Sequence, residues 1–153
     1  MAHFTMEEKS QTELKAEALE FLSAHRKMVL SVLDKEKHPN SSLLLYVTDD
    51  DFNIFFGTCT CFGKYKALQA DPHVSLAVVE ESVDPLKVFD MQGVAEEIPH
   101  DKTHETLEWF VSKNDSKYYV KDRDDFVMFK IKPTKARWLD ASSGELQMHD
   151  LEV

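Results

Sequence analysis

The chain has 153 residues and 42% hydrophobic content, enough for one domain around one core and too little for a second independent one. Twenty-eight acidic against 18 basic residues give a net charge of −10, which repels nucleic-acid phosphates and anionic lipid, so neither is expected as a partner and a phosphate ligand needs a local trap. The longest apolar run, Leu43 to Val47, is far below the roughly 18 residues of a bilayer span, and the first ten residues carry no apolar stretch, so the expectation is a cytoplasmic protein without a targeting segment.

Ser10 to Arg26 places Leu14, Ala18, Phe21 and Leu22 on one helical face and its charges largely on the other, which predicts an amphipathic helix. Met28 to Asp34 and Ser41 to Thr48 read as strands joined by the polar turn Lys35 to Asn40 around Pro39. Asp49 to Asp51 make the next turn, because adjacent carboxylates resist burial and Asp favours turn geometry. Asn53 to Thr58 follows as a third strand. Phe62 to Ala70 turns helical and closes at Asp71-Pro72, since the residue before proline avoids helical geometry. His73 to Glu80 is a strand, and so is Lys87 to Ile98, where Gly93 suggests a bulge or a close backbone approach. Thr103 to Lys113 is a helix with Leu107, Phe110 and Val111 inward, and Asn114 to Asp125 is a charged connection without period. Phe126 to Lys132 and Ala136 to Asp140 finish as two strands split by Pro133.

Strands dominate, and the helices are too few for the strict alternation of a parallel doubly wound sheet. The expected fold is mainly β, an antiparallel barrel with peripheral helices, in one domain: a helical segment 1–26, a barrel 27–140 and a tail 141–153.

The chemistry concentrates in Thr58 to Leu68 (TCTCFGKYKAL). This segment leaves a strand, offers hydroxyls at Thr58 and Thr60, brings Lys64 and Lys66 together and opens a helix. Free N–H groups at a helix start, the positive end of its dipole and an ammonium jointly favour a phosphate. It is not a P-loop, because the glycine and Lys-Ser/Thr spacing is missing.

From Met28 to Leu76 the order MVLSVLD, a turn with Pro39, SSLLLYVT, IFFGT, six positions from Thr58 to Lys64, then KALQADPHVSL resembles the FMN-binding half of pyridoxamine 5'-phosphate oxidases and the related general stress proteins. The resemblance implies an antiparallel split β-barrel of the FMN-binding type. It puts Lys64 in the place of the family's phosphate-binding lysine, with Gly63 and Ser42 standing where arginines are usual and Lys66 available to compensate. Backbone groups from Ser42 through Leu43 to Leu44 would face the isoalloxazine edge, and Thr58 the ribityl or ring side. Phe126 to Trp138 looks like the last family strands, with Trp138 matching a tryptophan that packs at the flavin. His149 and Asp150 fall near the family's substrate-facing segment, though the arginine of that motif is missing and pyridoxamine phosphate oxidation itself is not implied.

The resemblance therefore implies a flavoprotein oxidoreductase or flavin-binding stress protein, with FMN at the interface of a homodimer and an unidentified small-molecule substrate. No catalytic acid or base is identified. The alternatives are a split barrel holding heme or a deazaflavin, or one that has lost its cofactor. Phe55, Phe56, Phe62 and Trp138 also suggest more aromatic surface than one small barrel covers, which argues for a second copy.

No metal site is expected. His100 and His104 have i, i+4 spacing but no third ligand nearby, and Cys59 and Cys61 alone fall short of a zinc site. The two cysteines are too close for an ordinary bridge within one strand, so a disulfide scaffold is excluded and they read as small residues lining the loop.

Overall fold

The computed structural model describes residues 9–114 and 124–153. The helices are α1 (Gln11–Ala24), α2 (Gly63–Ala70) and α3 (His100–Lys113). The strands are β1 (Lys27–Leu33), β2 (Pro39–Leu45), β3 (Val47–Thr48), β4 (Ile54–Cys59), β5 (His73–Val79), β6 (Lys87–Glu97), β7 (Phe126–Asp140) and β8 (Gln147–Leu151). All strands join one sheet in the order β2-β1-β5-β6-β7-β4-β3, and β8 pairs with β7. Every pairing is antiparallel. The sheet curls into the split barrel that the sequence implies.

Local chemistry explains the connections. Ser10 caps α1, its hydroxyl accepting from the Glu13 N–H at 3.2 Å. In the β1–β2 hairpin the Asp34 carboxylate accepts the N–H groups of Glu36 and His38, both at 2.9 Å. Asp49 does the same for the N–H groups of Asp51 and Asn53, so the acidic triplet is a turn as expected.

Alternation along the strands sorts the side chains. Met28, Leu30 and Val32 of β1 face inward with Val74, Leu76 and Val78 of β5 and Phe89 and Met91 of β6. Leu14, Ala18, Phe21 and Leu22 of α1 lie on this core. A smaller cluster of Val47, Leu107, Phe110 and Met128 sits beneath α3.

Five expectations change. The apolar run Ser41 to Thr48 is two strands, because Tyr46 turns between them: its side chain is fully buried, its hydroxyl donates to Leu22 O at 2.6 Å and its N–H to Arg26 O at 3.1 Å. The last two strands are one, β7. Pro133 lacks an N–H but sits at the irregularity where the register with β6 shifts between Gln92 and Gly93, so the ladder bends without ending. The expected tail contains β8, which continues the sheet, with Leu151 buried and Gln11 of α1 bonded to Asp150 O and the Glu152 N–H. Helix α3 starts at His100, directly after Pro99. Finally, Phe56 and Trp138 are buried within the single chain, so they supply no argument for a second copy. The first eight residues and most of the Asn114 to Asp125 connection lie outside the described residues.

Two positions test this architecture. A Cβ on Gly93 would stand 2.5 Å from Lys132 O and 2.7 Å from Ile131 Cγ2, so Gly93→Ala forces β6 and β7 apart. A loss of about 1–3 kcal/mol is expected in urea unfolding. Asn114, fully buried, donates to Tyr46 O at 2.8 Å and accepts from Arg26 Nε at 3.1 Å. Asn114→Ala removes both bonds and should cost about 1–3 kcal/mol in the same measurement.

Candidate functional site

The register of β1 with β2 places Asn40 opposite Val32 and Ser42 opposite Leu30, on the inward side of the strand pair. Helix α2 leaves the end of β4 and lies against this edge through buried Ala67 and Leu68. Between them is a cavity of about 400 Å³ lined by Val32, Asp34, Asn40, Ser41, Ser42, Phe62, Gly63, Lys64 and Ala67. Ser42 and Lys64, 22 residues apart in the chain, thus face one space.

Its electrostatics favour an anion. Helix α2 begins at Gly63 with Phe62 as N-cap, which gives no side-chain cap, and among the described residues no side chain bonds its first N–H groups, so the positive end of the helix lies open at the cavity. Lys64 is half-buried, and burial pushes its ammonium down from the ordinary lysine value. Among the described residues it makes no ion pair. The acidic member of the lining, Asp34, is engaged by the Glu36 and His38 N–H groups and by Asn40 Nδ2 at 3.3 Å. These donors hold its carboxyl below the usual carboxylate range. A Cβ built on Gly63 meets nothing within 4 Å among the described residues, which leaves room there for a larger side chain.

The other expected residues lie elsewhere. Leu44 turns inward against the core, while Leu43 is 65% exposed on the opposite face of β2. Thr58 is buried at the end of β4 and Thr60 sits in the turn beyond it, its N–H donating to Asp125 O at 2.8 Å. Neither threonine lines the cavity. Lys66 opens on a neighbouring depression with Asp34, Lys35 and Glu36, as the helical period requires of a residue two places from Lys64.

Trp138 is packed under α1, 4.9 Å from the Phe21 ring centre, with its indole N–H donating to Glu17 Oε2 at 3.2 Å. It borders a different hollow, shared with His25 and Glu80. His149 stands opposite Trp138 and Asp150 opposite Arg137 in the β7–β8 ladder. Arg137 of β7 forks onto Asp90 at 3.0 and 3.1 Å with its Nη1 3.6 Å from Met148 Sδ. Asn40 was missed in the sequence. Its signal was its even spacing from Ser42 along a strand.

Cys59 and Cys61 are bonded to each other, against the expectation. The reason is that they do not share a strand. β4 ends at Cys59, the chain turns at Thr60 and Cys61, and the Cα atoms close to 5.1 Å, within the ordinary disulfide range. Asp125 lies beside them, so these three residues could gather a metal ion only with the bridge open. His104 pairs with Glu108 along α3, and no metal cluster involving it or His100 occurs among the described residues.

The antiparallel sheet, curled into a split barrel with α2 lying over a polar cavity, defines the class of fold. The chain belongs to the pyridoxamine 5'-phosphate oxidase family, whose sequence pattern matches residues 14–140. No curated protein sequence matches it significantly. Among solved structures it is similar to a heme binding protein from Mycobacterium smegmatis (21% identity, 94% of this chain and 59% of that one, TM-score 0.72). It is similar to a putative pyridoxamine 5'-phosphate oxidase from Listeria innocua (20% identity, 82% and 97%, TM-score 0.69). It is also similar to General Stress Protein 26 from Bacillus anthracis (18% identity, 91% and 99%, TM-score 0.69). At these identities the likeness concerns the fold. Among the described residues, no helix is long and apolar enough to cross a membrane.

Proposed function

We propose that this chain is an FMN-binding flavoprotein that carries out redox chemistry on a small molecule as a homodimer. The observation that supports it is Lys64: a half-buried ammonium without an ion-pair partner among the described residues, at an uncapped helix start, facing Ser42 across the cavity. A phosphate would supply the missing counter-charge and accept the free N–H groups. Lys64 and the first N–H groups of α2 would hold that phosphate, with Ser42 and Asn40 as further donors. Bound there, the isoalloxazine would supply the electron or hydride transfer, while the protein binds and orients it.

The M. smegmatis relative is a heme binding protein, which makes heme the rival. The described lining of this cavity contains no His, Cys, Met or Tyr, the side chains that ligate heme iron, and so favours the phosphate-bearing cofactor.

Lys64→Ala should weaken FMN by roughly ten- to a hundredfold in a fluorescence titration, because a charge-assisted hydrogen bond is worth about 1.5–3 kcal/mol. Riboflavin, which lacks the phosphate, should bind both proteins alike. Gly63→Arg and Ser42→Arg add a cation to the same space and should tighten FMN without affecting riboflavin. Equal FMN affinity in Lys64→Ala and the parent would overturn the assignment.

The homodimer rests on the outer face of the sheet. Val29 of β1 is 42% exposed and pairs with Leu43, 65% exposed, on one side and with Ala77 on the other, while Val79, 55% exposed, continues the face along β5. Such an apolar stripe fits a second copy related by a two-fold axis. Sedimentation should show a dimer for the parent and a monomer for Leu43→Glu, with both keeping the far-ultraviolet spectrum of a folded barrel.

A further inference from the structure

We propose that Cys59 and Cys61 are a thiol–disulfide exchange site, in which Cys61 reacts first with a small disulfide, Cys59 closes the bridge and Asp125 takes the Cys59 proton. The site is separate from the cofactor reading and does not depend on it.

The structure joins the two sulfurs and makes them unequal. Cys59 is 5% exposed at the end of β4, whereas Cys61 is exposed in the turn. An external disulfide therefore reaches Cys61. Helix α2 starts two residues further on. The Cys59 sulfur lies 3.0 Å from Asp125 Oδ2 and accepts the Cys61 N–H at 3.1 Å. A disulfide sulfur carries no proton, so the contact with Asp125 is a hydrogen bond only in the dithiol form, where the carboxylate is placed to accept that proton. The Thr60 N–H to Asp125 O bond, at 2.8 Å, keeps Asp125 beside the turn.

The exchange balances. The Cys61 thiolate attacks one sulfur of a small disulfide, forming a mixed disulfide and expelling one thiolate. Cys59 passes its proton to Asp125 and attacks the Cys61 sulfur, expelling the second thiolate, which takes up the proton from Asp125 through solvent. In sum, two protein thiols and one small disulfide become one protein disulfide and two small thiols. Excess small thiol runs the sequence backwards from the exposed sulfur.

Mass spectrometry of the full chain, reduced and then treated with oxidised glutathione, tests this without any cofactor. The parent should lose two hydrogens and keep no adduct. Cys59→Ser should hold one glutathione on Cys61, Cys61→Ser should react at least about tenfold more slowly, and Asp125→Asn should accumulate the mixed disulfide that the parent passes through. Peptide mapping of the reduced parent after brief iodoacetamide treatment, which needs no variant, should find Cys61 alkylated before Cys59. The proposal fails if Cys59 is alkylated first, if both serine variants take glutathione equally fast, or if the parent remains a dithiol or stops at the adduct under excess oxidised glutathione.

Discussion

The barrel depends on how one buried residue is held. Tyr46 separates β2 from β3, which are the two ends of the sheet order, so whatever fixes Tyr46 also fixes the distance between the sheet edges. Its hydroxyl reaches Leu22 O at the end of α1, its N–H reaches Arg26 O in the connection to β1, and its carbonyl accepts from Asn114 at the end of α3. Lys113 adds an ammonium 5.0 Å from the Tyr46 ring centre and a bond to Leu22 O at 3.3 Å. Burial pushes the Tyr46 phenol above its ordinary value, so the hydroxyl remains a donor throughout the physiological range. Three segments far apart in the chain thus meet at one corner through bonds made out of water, where an unpaired group is costly.

The candidate site follows from that closure. β2 lies at one edge of the sheet, and α2 departs from β4, which lies next to the other edge. Only when the corner brings these edges together do Ser42 and Lys64 face one cavity. The chain as a whole is strongly acidic, and against that field the cavity sets a half-buried ammonium at the start of α2. The open space at Gly63 and the small Ser42 leave room that larger basic side chains would fill.

Much of this was legible in the residues. The inward apolar positions of α1 followed from period alone, and Gly93 reads as a bulge or a close approach, where an added Cβ would stand 2.5 Å from Lys132 O. The order of strands, lysine and Asp-Pro pointed to the family, and Ser42 and Lys64, which the resemblance singles out, line one cavity. Less visible were the breaks within apolar runs. Nothing in LLLYVT announces a corner, because a buried tyrosine in a strand and a buried tyrosine in a turn have the same composition.

By itself the sequence determined what local forces decide: the apolar face of α1, the helix after β4 that closes at Asp71-Pro72, and the position of most strands. Tertiary structure alone decided what depends on distant pairing. It put Trp138 under α1, drew the last residues into β8, set Arg137 on Asp90 and turned the chain so that Cys59 and Cys61 could bond beside Asp125. The physical reason is that propensity and period act within a few residues, whereas register, corner and cavity are set by hydrogen bonds and packing between segments up to 141 residues apart, such as Gln11 with Glu152.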